Sequence, residues 1–378
     1  QKEIGHFIID LWATDSSNIP QNSVLSMVQA RDGYLWIGTY DGVARFDGLR
    51  FTVFDKSNTP EIQNNGMLVM AEGADGCLWI GTPNGLLCRR AGKFRNYTVA
   101  DGLASDFILS LCFDPQGGLW IGTTRGLSRY QEGEFITIKE TAGGGLSYVS
   151  ALCADQSGAL WVGTSTGLFE YRAGRFTAHT RPGGKAENTI WSLCAARDGT
   201  VWIGTAGDRL VSLRRGIIRS YTQNEGLSGS RVRVIYQDSR GTLWVGTDNG
   251  GLNRFEGGSF SCLMQRNGLS NDSVRALVED SEGSLWIGTF GGGLNRLKDD
   301  RYIFYNTRNG LPVDMTRSVM QDRDGDFWIG TIGGGLVRFR SGKFKVFGAG
   351  DGLRSLRIWS IAQGLDNAIW FGTYGGGL

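Results

Sequence analysis

A short motif recurs along the whole chain. Tryptophan, then isoleucine, valine or phenylalanine, then Gly-Thr occurs nine times, with successive tryptophans 41 to 43 residues apart. The tryptophans of the motif are Trp36, Trp79, Trp120, Trp161, Trp202, Trp244, Trp286, Trp328 and Trp370. A period in the forties with one short β signature per unit is typical of β-propellers, which are rings of four-stranded blades. The repeat therefore predicts one propeller domain over residues 1–378.

Residues 232–262 show how one unit divides into strands. The β-branched run 232–236 predicts an inner strand, and 243–247, which contains the motif, predicts the second strand. A glycine-containing hairpin loop leads to a third strand at 252–255, and an outer strand begins at Ser259. With 59 glycines, which weaken helices, the composition supports an all-β fold.

The N-terminal residues are expected to close the ring. Four short strands cannot bury both faces of a sheet alone, so the blades must stack around an axis. Residues 5–9 resemble outer strands such as 342–346, and we expect them to complete the last blade. The prediction is a single all-β propeller of nine four-stranded blades, closed by the N-terminal strand. An eight-bladed or distorted ring, or seven blades with a detached pair, are the alternatives.

Global properties argue against several functional classes. With a formal net charge of +2, the chain lacks the concentrated basic field that nucleic acid binding requires. No apolar run approaches the roughly 18 residues of a membrane span, and none at the N-terminus resembles a signal peptide. We therefore expect the chain to be either cytoplasmic or a mature form from which a leader has been removed. The cysteines show no C-x-x-C spacing, so we predict neither metal nor cofactor and six free, buried thiols.

Three motifs that could indicate chemistry are better explained by structure. Gly163–Gly167 matches G-x-S-x-G, but it lies in a strand-to-strand hairpin instead of the strand-to-helix turn of a nucleophile. Residues 322–325 resemble the start of a calcium loop without its later ligands. His6 and His179 fall in or after outer strands, far from the axis, and are interpreted as surface or packing residues. We predict no catalytic residues.

The residues of several units resemble a known family. Residues 20–24, 31–39 and 44–48, together with Asp101-Gly102-Leu103 and Asn267-Gly268-Leu269-Ser270, are similar to two-component-regulator propeller repeats. This resemblance implies a periplasmic sensory region of a bacterial receptor. Such regions are joined to a membrane-anchored output part, such as a histidine kinase, a hybrid kinase or a diguanylate cyclase. Family members often have about fourteen repeats in two seven-bladed rings, and nine repeats depart from that pattern.

Function is expected where the blades differ, because Trp and Thr recur in every blade and are best explained by packing and hydrogen bonding. One inner-strand position per blade is predicted to lie at the mouth of the central channel. Its residues, in order, are Leu25, Leu68, Leu109, Ser150, Trp191, Arg233, Arg275, Arg317 and Trp359. Arginine offers a planar fork for carboxylate or phosphate, and tryptophan a stacking face for sugars or other flat ligands.

We therefore predict ligand binding by the polar arc of this set, which is Trp191, Arg233, Arg275, Arg317 and Trp359. The alternative is structural: the arginines pair with carboxylates such as Asp272 and Asp314, and the tryptophans fill gaps between blades. The function expected is a sensor propeller with a small or glycan-like, anionic ligand at the channel mouth. A propeller lyase or hydrolase and a passive protein-interaction scaffold are the other hypotheses.

Overall fold

The computed structural model describes residues 2–3, 7–17, 19–138, 146–179, 189–207, 209–299, 307, 310–340, 342–364 and 366–377. The chain forms two compact units, Gln1–Asp300 and Arg301–Leu378, called here the first and the second unit. Together they contain nine sheets in the described residues, which confirms the all-β propeller class and the nine repeat units. None of the described helices is both long and apolar enough to cross a bilayer.

The elements follow the repeat. The N-terminal elements are Lys2–Glu3 (β1), Phe7–Trp12 (β2) and the short helix Thr14–Ser17 (α1). Blades 1 to 3 contain Val24–Gln29 (β3), Leu35–Thr39 (β4), Gly42–Phe46 (β5), Phe51–Phe54 (β6), Val69–Glu72 (β7), Leu78–Thr82 (β8), Gly85–Arg90 (β9), Lys93–Tyr97 (β10), Ile108–Phe113 (β11), Leu119–Thr123 (β12), Gly126–Gln131 (β13) and Glu134–Ile138 (β14). Blades 4 and 5 contain Val149–Ala154 (β15), Leu160–Thr164 (β16), Leu168–Arg172 (β17), Arg175–Ala178 (β18), Ile190–Ala195 (β19), Val201–Thr205 (β20), Leu210–Arg214 (β21) and Ile217–Tyr221 (β22).

Blades 6 and 7 complete the first unit, with Ser230–Gln237 (β23), Leu243–Asp248 (β24), Leu252–Glu256 (β25), Ser259–Leu263 (β26), Val274–Glu279 (β27), Leu285–Thr289 (β28) and Gly293–Asp299 (β29). The second unit contains Thr316–Gln321 (β30), Phe327–Thr331 (β31), Leu336–Arg340 (β32), Lys343–Phe347 (β33), Ile358–Gln363 (β34) and Ile369–Thr373 (β35). Strands β30 to β33 form one four-stranded sheet, and β34 pairs with β35.

The first unit closes on itself after seven blades. The inner strands β3, β7, β11, β15, β19, β23 and β27 each lie beside the next, and β27 lies beside β3. Strand β2 pairs with β29, from Phe7 opposite Asp299 to Trp12 opposite Leu294. Closure by the N-terminal strand is therefore confirmed, but the expected partner in the ninth blade is corrected to the seventh. Residues 7–299 close as a ring of seven instead of sharing one ring with all nine blades.

Side chains of β2 explain this pairing. Ile9 packs against the buried core that contains Leu297, and the Trp12 ring lies 5.0 Å from that of Trp286. The Arg296 guanidinium donates to Asp10 Oδ2 at 2.6 Å. The repeat pattern could not reveal this choice, because the outer strands of different blades have similar sequences and only these cross-strand partners distinguish them.

The recurring Trp and Thr are packing and hydrogen-bonding residues, as predicted. In the first unit the seven motif tryptophans are all buried. The Trp244 Nε1 donates to Asp238 Oδ2 at 2.8 Å, and Trp120, Trp161, Trp286 and Trp328 make the same bond to the Asp six residues earlier. The Thr247 hydroxyl donates to the carbonyl of Gly251, which holds the hairpin between the second and third strands.

Cys77 and Cys88 are joined as a disulfide, so the prediction of six free thiols is wrong for this pair. Cys77 immediately precedes β8, and Cys88 lies opposite Trp79 in the neighbouring strand β9. The hairpin thus brings together two cysteines that are 11 residues apart in sequence, with Cα atoms 6.3 Å apart. The free cysteines are Cys112, Cys153, Cys194 and Cys262.

Candidate functional site

The variable residues lie at one end of the blades. Each inner strand begins beside the end of the second strand of its own blade. The Phe290 amide, just after β28, donates to the Ser273 carbonyl, just before β27, at 2.8 Å. The Ala206 amide makes the equivalent bond to the Thr189 carbonyl in blade 5 at 2.8 Å. We call this end of the first unit the mouth.

The predicted inner-strand position forms a ring at the mouth of the first unit. Its members there are all half-buried, and each follows a buried residue in or just before the inner strand: Leu25, Leu68, Leu109, Ser150, Trp191, Arg233 and Arg275. Because inner strands lie side by side around the ring, neighbours in this series are neighbours in space. The Ser150 hydroxyl, for example, donates to the Ile190 carbonyl of the next blade. The polar arc of the first unit thus extends over blades 5 to 7.

A buried carboxylate joins the two arginines of this arc. Arg233 Nε and Nη2 donate to Asp248 Oδ2 at 2.9 and 2.8 Å, and Arg275 Nη2 lies 3.0 Å from Oδ1. The Ser273 hydroxyl also donates to Oδ1, at 3.2 Å. The side chain of Asp248 is only 9% exposed, whereas about a quarter of each arginine side chain is exposed. The carboxylate therefore fixes two guanidinium groups that still reach solvent.

Aromatic rings flank both guanidinium groups. The Arg233 guanidinium carbon lies 3.4 Å from the centroid of the Trp191 ring, and that of Arg275 lies 5.0 Å from Phe290. Phe290 in turn contacts Tyr40 edge-to-face, with centroids 6.5 Å apart. Phe290 is 43% exposed and Tyr40 47%. We call these six residues the mouth cluster: Tyr40, Trp191, Arg233, Asp248, Arg275 and Phe290.

The mouth cluster keeps an excess positive charge. Burial alone would raise the pKa of Asp248. The hydrogen bond from Arg233 and the charges of Arg275 and Arg233 together outweigh burial, so the pKa of Asp248 is below its ordinary value. Burial and the neighbouring Arg233 together lower the pKa of Arg275. Arg275 Nε is buried without a hydrogen-bond partner. One carboxylate faces two guanidinium groups, and an added anion would therefore be favoured electrostatically.

The structure brings together three of the five predicted site residues. Trp191, Arg233 and Arg275 belong to the mouth cluster, whereas Arg317 and Trp359 belong to the second unit. There the Arg317 guanidinium lies 4.7 Å from the Trp359 ring, and both side chains are exposed. The binding role of all five residues remains a prediction.

The acidic partner of the arginines differs from the two suggested by the sequence. Asp272 accepts a hydrogen bond from the Gln265 amide at 2.6 Å, and Asp314 from the Thr307 amide at 2.7 Å. Asp248, which sequence reasoning missed, occupies the position directly after the repeated Thr. Among the nine blades it is the only acidic residue at that position, and this was the signal available in the sequence.

The other motifs have structural partners. The Thr164 hydroxyl donates to the Gly167 carbonyl at 3.0 Å, so the G-x-S-x-G segment connects β16 and β17 as a hairpin. His179 Nε2 lies 3.0 Å from Glu170 Oε2, and its ring packs 5.1 Å from Trp161. His6 lies outside the described residues. Within the described residues, His, Cys, Asp and Glu side chains form no group of three or more that could hold a metal ion.

The model of two-component regulator propeller repeats matches residues 18–41, 102–125, 143–166, 184–207, 226–249, 268–291 and 310–333. The chain belongs to this two-component regulator propeller family. The seven matched segments lie in blades 1 and 3 to 8, and each ends two residues after the Gly-Thr of its blade. A comparison with curated proteins found no match.

Solved structures with similar folds include other propellers. The extracellular domain assigned to a hybrid two-component system of B. thetaiotaomicron aligns with a TM-score of 0.69 and 24% identity, over 98% of this chain and 53% of that one. Virginiamycin B lyase from Staphylococcus aureus aligns with a TM-score of 0.63 and 14% identity, over 78% of this chain and 100% of the lyase. PorZ of Porphyromonas gingivalis, a surface component of the type-IX secretion system, aligns with a TM-score of 0.61 and 17% identity, over 86% of this chain and 52% of PorZ. At these identities the likeness shows the fold, and the chain spans about half the length of the two-component-system domain.

Proposed function

We propose that this two-component regulator propeller is the ligand-binding sensor part of a bacterial signal-transduction receptor. The observation that supports the proposal is the mouth cluster, in which two oriented guanidinium groups lie beside the half-buried ring of Trp191 and the exposed ring of Phe290. Its ligand is a small or glycan-like anion, and the output part lies outside this chain. The extracellular domain of the hybrid two-component system, which has a similar fold, supports this class of function.

The cluster suits a ligand that combines a carboxylate with a ring. Arginine forks bind carboxylates through paired hydrogen bonds, and the rings beside them provide flat surfaces on which a sugar can stack. Asp248 holds Arg233 through two hydrogen bonds before any ligand arrives. Because the donors are already oriented, less conformational entropy is lost on binding.

We further propose an extracytoplasmic, periplasmic location. Disulfides persist in oxidising compartments and are rare in the bacterial cytosol, and the Cys77–Cys88 bond favours the former. The similar two-component-system structure is an extracellular domain, which agrees with this assignment.

We propose that the protein binds its ligand without converting it into a product. The fold is shared with virginiamycin B lyase at 14% identity, a level that does not transfer an activity. His179, the described histidine, is engaged with Glu170 and packed on Trp161, away from the mouth cluster. The arrangement of the cluster provides recognition through charge and stacking, and no described group in it is placed as a nucleophile.

The test is a thermal-shift screen of galacturonate and glucuronate oligosaccharides, small carboxylates, inorganic phosphate and neutral oligosaccharides. Acidic ligands should raise the melting temperature of the wild type, because a ligand that binds only the folded state stabilises it. Arg275→Gln should weaken that binding about tenfold or more, since a charge-assisted hydrogen bond is lost while Arg233 keeps Asp248 paired.

Arg175→Gln is the matched control, because Arg175 is an exposed arginine of the outer strand β18, in blade 4. The proposal fails if acidic hits bind Arg275→Gln and wild type equally well. It also fails if no acidic ligand binds, which favours a scaffold. Conversion of a hit into product by the wild type would favour the enzyme hypothesis.

A further inference from the structure

A cavity in the first unit is lined by residues of two adjacent blades. It has a volume of about 470 Å³ and lies between blades 5 and 6, over the motif tryptophan Trp202. Its walls include Tyr221 and Phe255, whose rings lie 5.7 and 5.3 Å from that of Trp202. Typical small-molecule sites have volumes of about 300–1,000 Å³. The cavity is thus large enough for a small ligand.

Blade 5 lacks the arginine that lies over the motif tryptophan in several other blades. In five blades the residue paired with this tryptophan is an arginine, and in four of them its guanidinium carbon lies 5.2 to 5.9 Å from the centroid of that tryptophan ring: Arg129, Arg254, Arg296 and Arg338. In blade 5 the paired residue is Ser212. Over Trp244, where Arg254 is present, the corresponding cavity measures only about 100 Å³.

The usual hydrogen-bond acceptor of the tryptophan is missing as well. In five blades the indole Nε1 donates to an aspartate six residues earlier, and the residue at that place in blade 5 is Ala196. The indole N–H of Trp202 therefore has no acceptor among the described residues. Two replacements by small residues, Ala196 and Ser212, leave a donor and an aromatic wall beside open space.

Charge at the rim favours an anionic occupant. Arg214, Arg215 and Arg219 line the cavity with a single carboxylate, Asp198, which lies 3.3 Å from Arg214. Arg215 and Arg219 have no ion-pair partner in the described part of the chain. Strand pairing places Arg219 opposite Ser212, which lies opposite Trp202, so all three side chains project from the same face of blade 5.

A second cavity shows that the missing arginine alone does not create this chemistry. In blade 2 the residue opposite Trp79 is Cys88, and a cavity of about 440 Å³ lies over that tryptophan. Its lining holds one arginine, Arg90, against two carboxylates, Asp75 and Glu132. The two cavities are similar in size and opposite in charge, which singles out the blade 5 cavity as the one suited to an anion.

We infer that the cavity over Trp202 is a second ligand site, distinct from the mouth cluster, that binds a small ring-bearing carboxylate. The ring packs against Trp202, Tyr221 and Phe255, and the carboxylate pairs with Arg219 and Arg215 at the rim. This site does not depend on the mouth cluster, because none of its lining residues belongs to that cluster.

The test is isothermal titration of the full chain with benzoate, 4-hydroxybenzoate and indole-3-acetate, with 4-hydroxybenzamide as the uncharged control. At least one carboxylate should bind saturably with a dissociation constant on the order of 1 mM or below, and the amide should bind about tenfold more weakly. The double variant Ala196→Asp with Ser212→Arg restores the pair found in blade 6 and should abolish binding. Arg219→Gln should weaken it about tenfold.

Arg175→Gln is the control and should bind these carboxylates as the wild type does, whereas Arg275→Gln removes an arginine of the mouth cluster and reports on binding there. Circular dichroism and the melting temperature verify the fold of the double variant, and if it does not fold, Arg219→Gln decides. Absence of binding by all three carboxylates, or unchanged affinity in Arg219→Gln, would overturn the inference. Loss of binding in Arg275→Gln alone would place the ligand at the mouth and would also contradict it.

Discussion

At the scale of single residues, recurrence and variation had different predictive value. The repeated Trp and Thr could be assigned to packing and hydrogen bonding from the sequence because a residue present in every blade is best explained by a role that the blades share. The role of Asp248 could not be assigned from the sequence, because it depends on side chains from two blades: Arg233 of its own blade and Arg275 of the next. Side-chain pairing between blades requires three-dimensional neighbours that the sequence pattern does not specify.

Truncating a buried motif tryptophan tests its packing role. Trp244 is 4% exposed and bonded to Asp238, so Trp244→Ala should lower the free energy of unfolding by about 3–5 kcal/mol. The same substitution at Trp370, which is 53% exposed, should cost under about 1 kcal/mol. Chemical denaturation followed by circular dichroism measures both. Equal losses in the two variants would show that burial of the motif is not what stabilises the blade.

At the scale of strands, local patterns located the elements but not all of their partners. In the sixth blade, the strands predicted within residues 232–262 correspond to β23 to β26, which begin at Ser230 and end at Leu263. The partner of the N-terminal strand was predicted incorrectly, because residues 5–9 match a generic outer strand. Ile9, Asp10 and Trp12 find their specific contacts on blade 7. The Cys77–Cys88 disulfide was missed for a related reason, since only hairpin pairing brings the two together.

A designed cross-link tests the pairing of β2 with β29. Asp10 and Arg296 are direct partners in the strand register, so Asp10→Cys with Arg296→Cys should form a disulfide under mild oxidation. Peptide mapping by mass spectrometry should find the cross-linked peptide. Thermal denaturation should show a raised melting temperature for the oxidised variant. The single variant Asp10→Cys serves as the control for non-specific oxidation. Without a cross-link between these positions, the N-terminal strand must close the ring elsewhere.

At the scale of the whole molecule, the repeat determined the fold class but not the size of the ring. Nine blades share one motif, yet the seventh inner strand, β27, lies beside the first, β3. Ring size depends on how closely successive blades approach. A Cβ added to Gly246 would lie 2.6 Å from Val274 of the next blade, so small residues set this spacing. Those contacts depend on details of side-chain packing that the period of the repeat does not contain.

The mouth cluster is a property of the closed ring, because Tyr40 comes from blade 1 and Phe290 from blade 7. Sequence reasoning identified the arginines by their succession along the chain, which the ring converts into adjacency. It could not identify the two aromatic residues that closure brings together. The proposed ligand site is therefore complete only when blades 1 and 7 meet.

Hydrogen–deuterium exchange of the full chain, with and without the strongest acidic hit of the screen, tests the proposed function most directly. The account predicts slower exchange at the mouth, in the first residues of β19, β23 and β27 and in the turns after β4, β24 and β28. Arg275→Gln at the same ligand concentration should show little of this protection. Protection confined to the outer strands or to the second unit, with the mouth unchanged, would contradict the account.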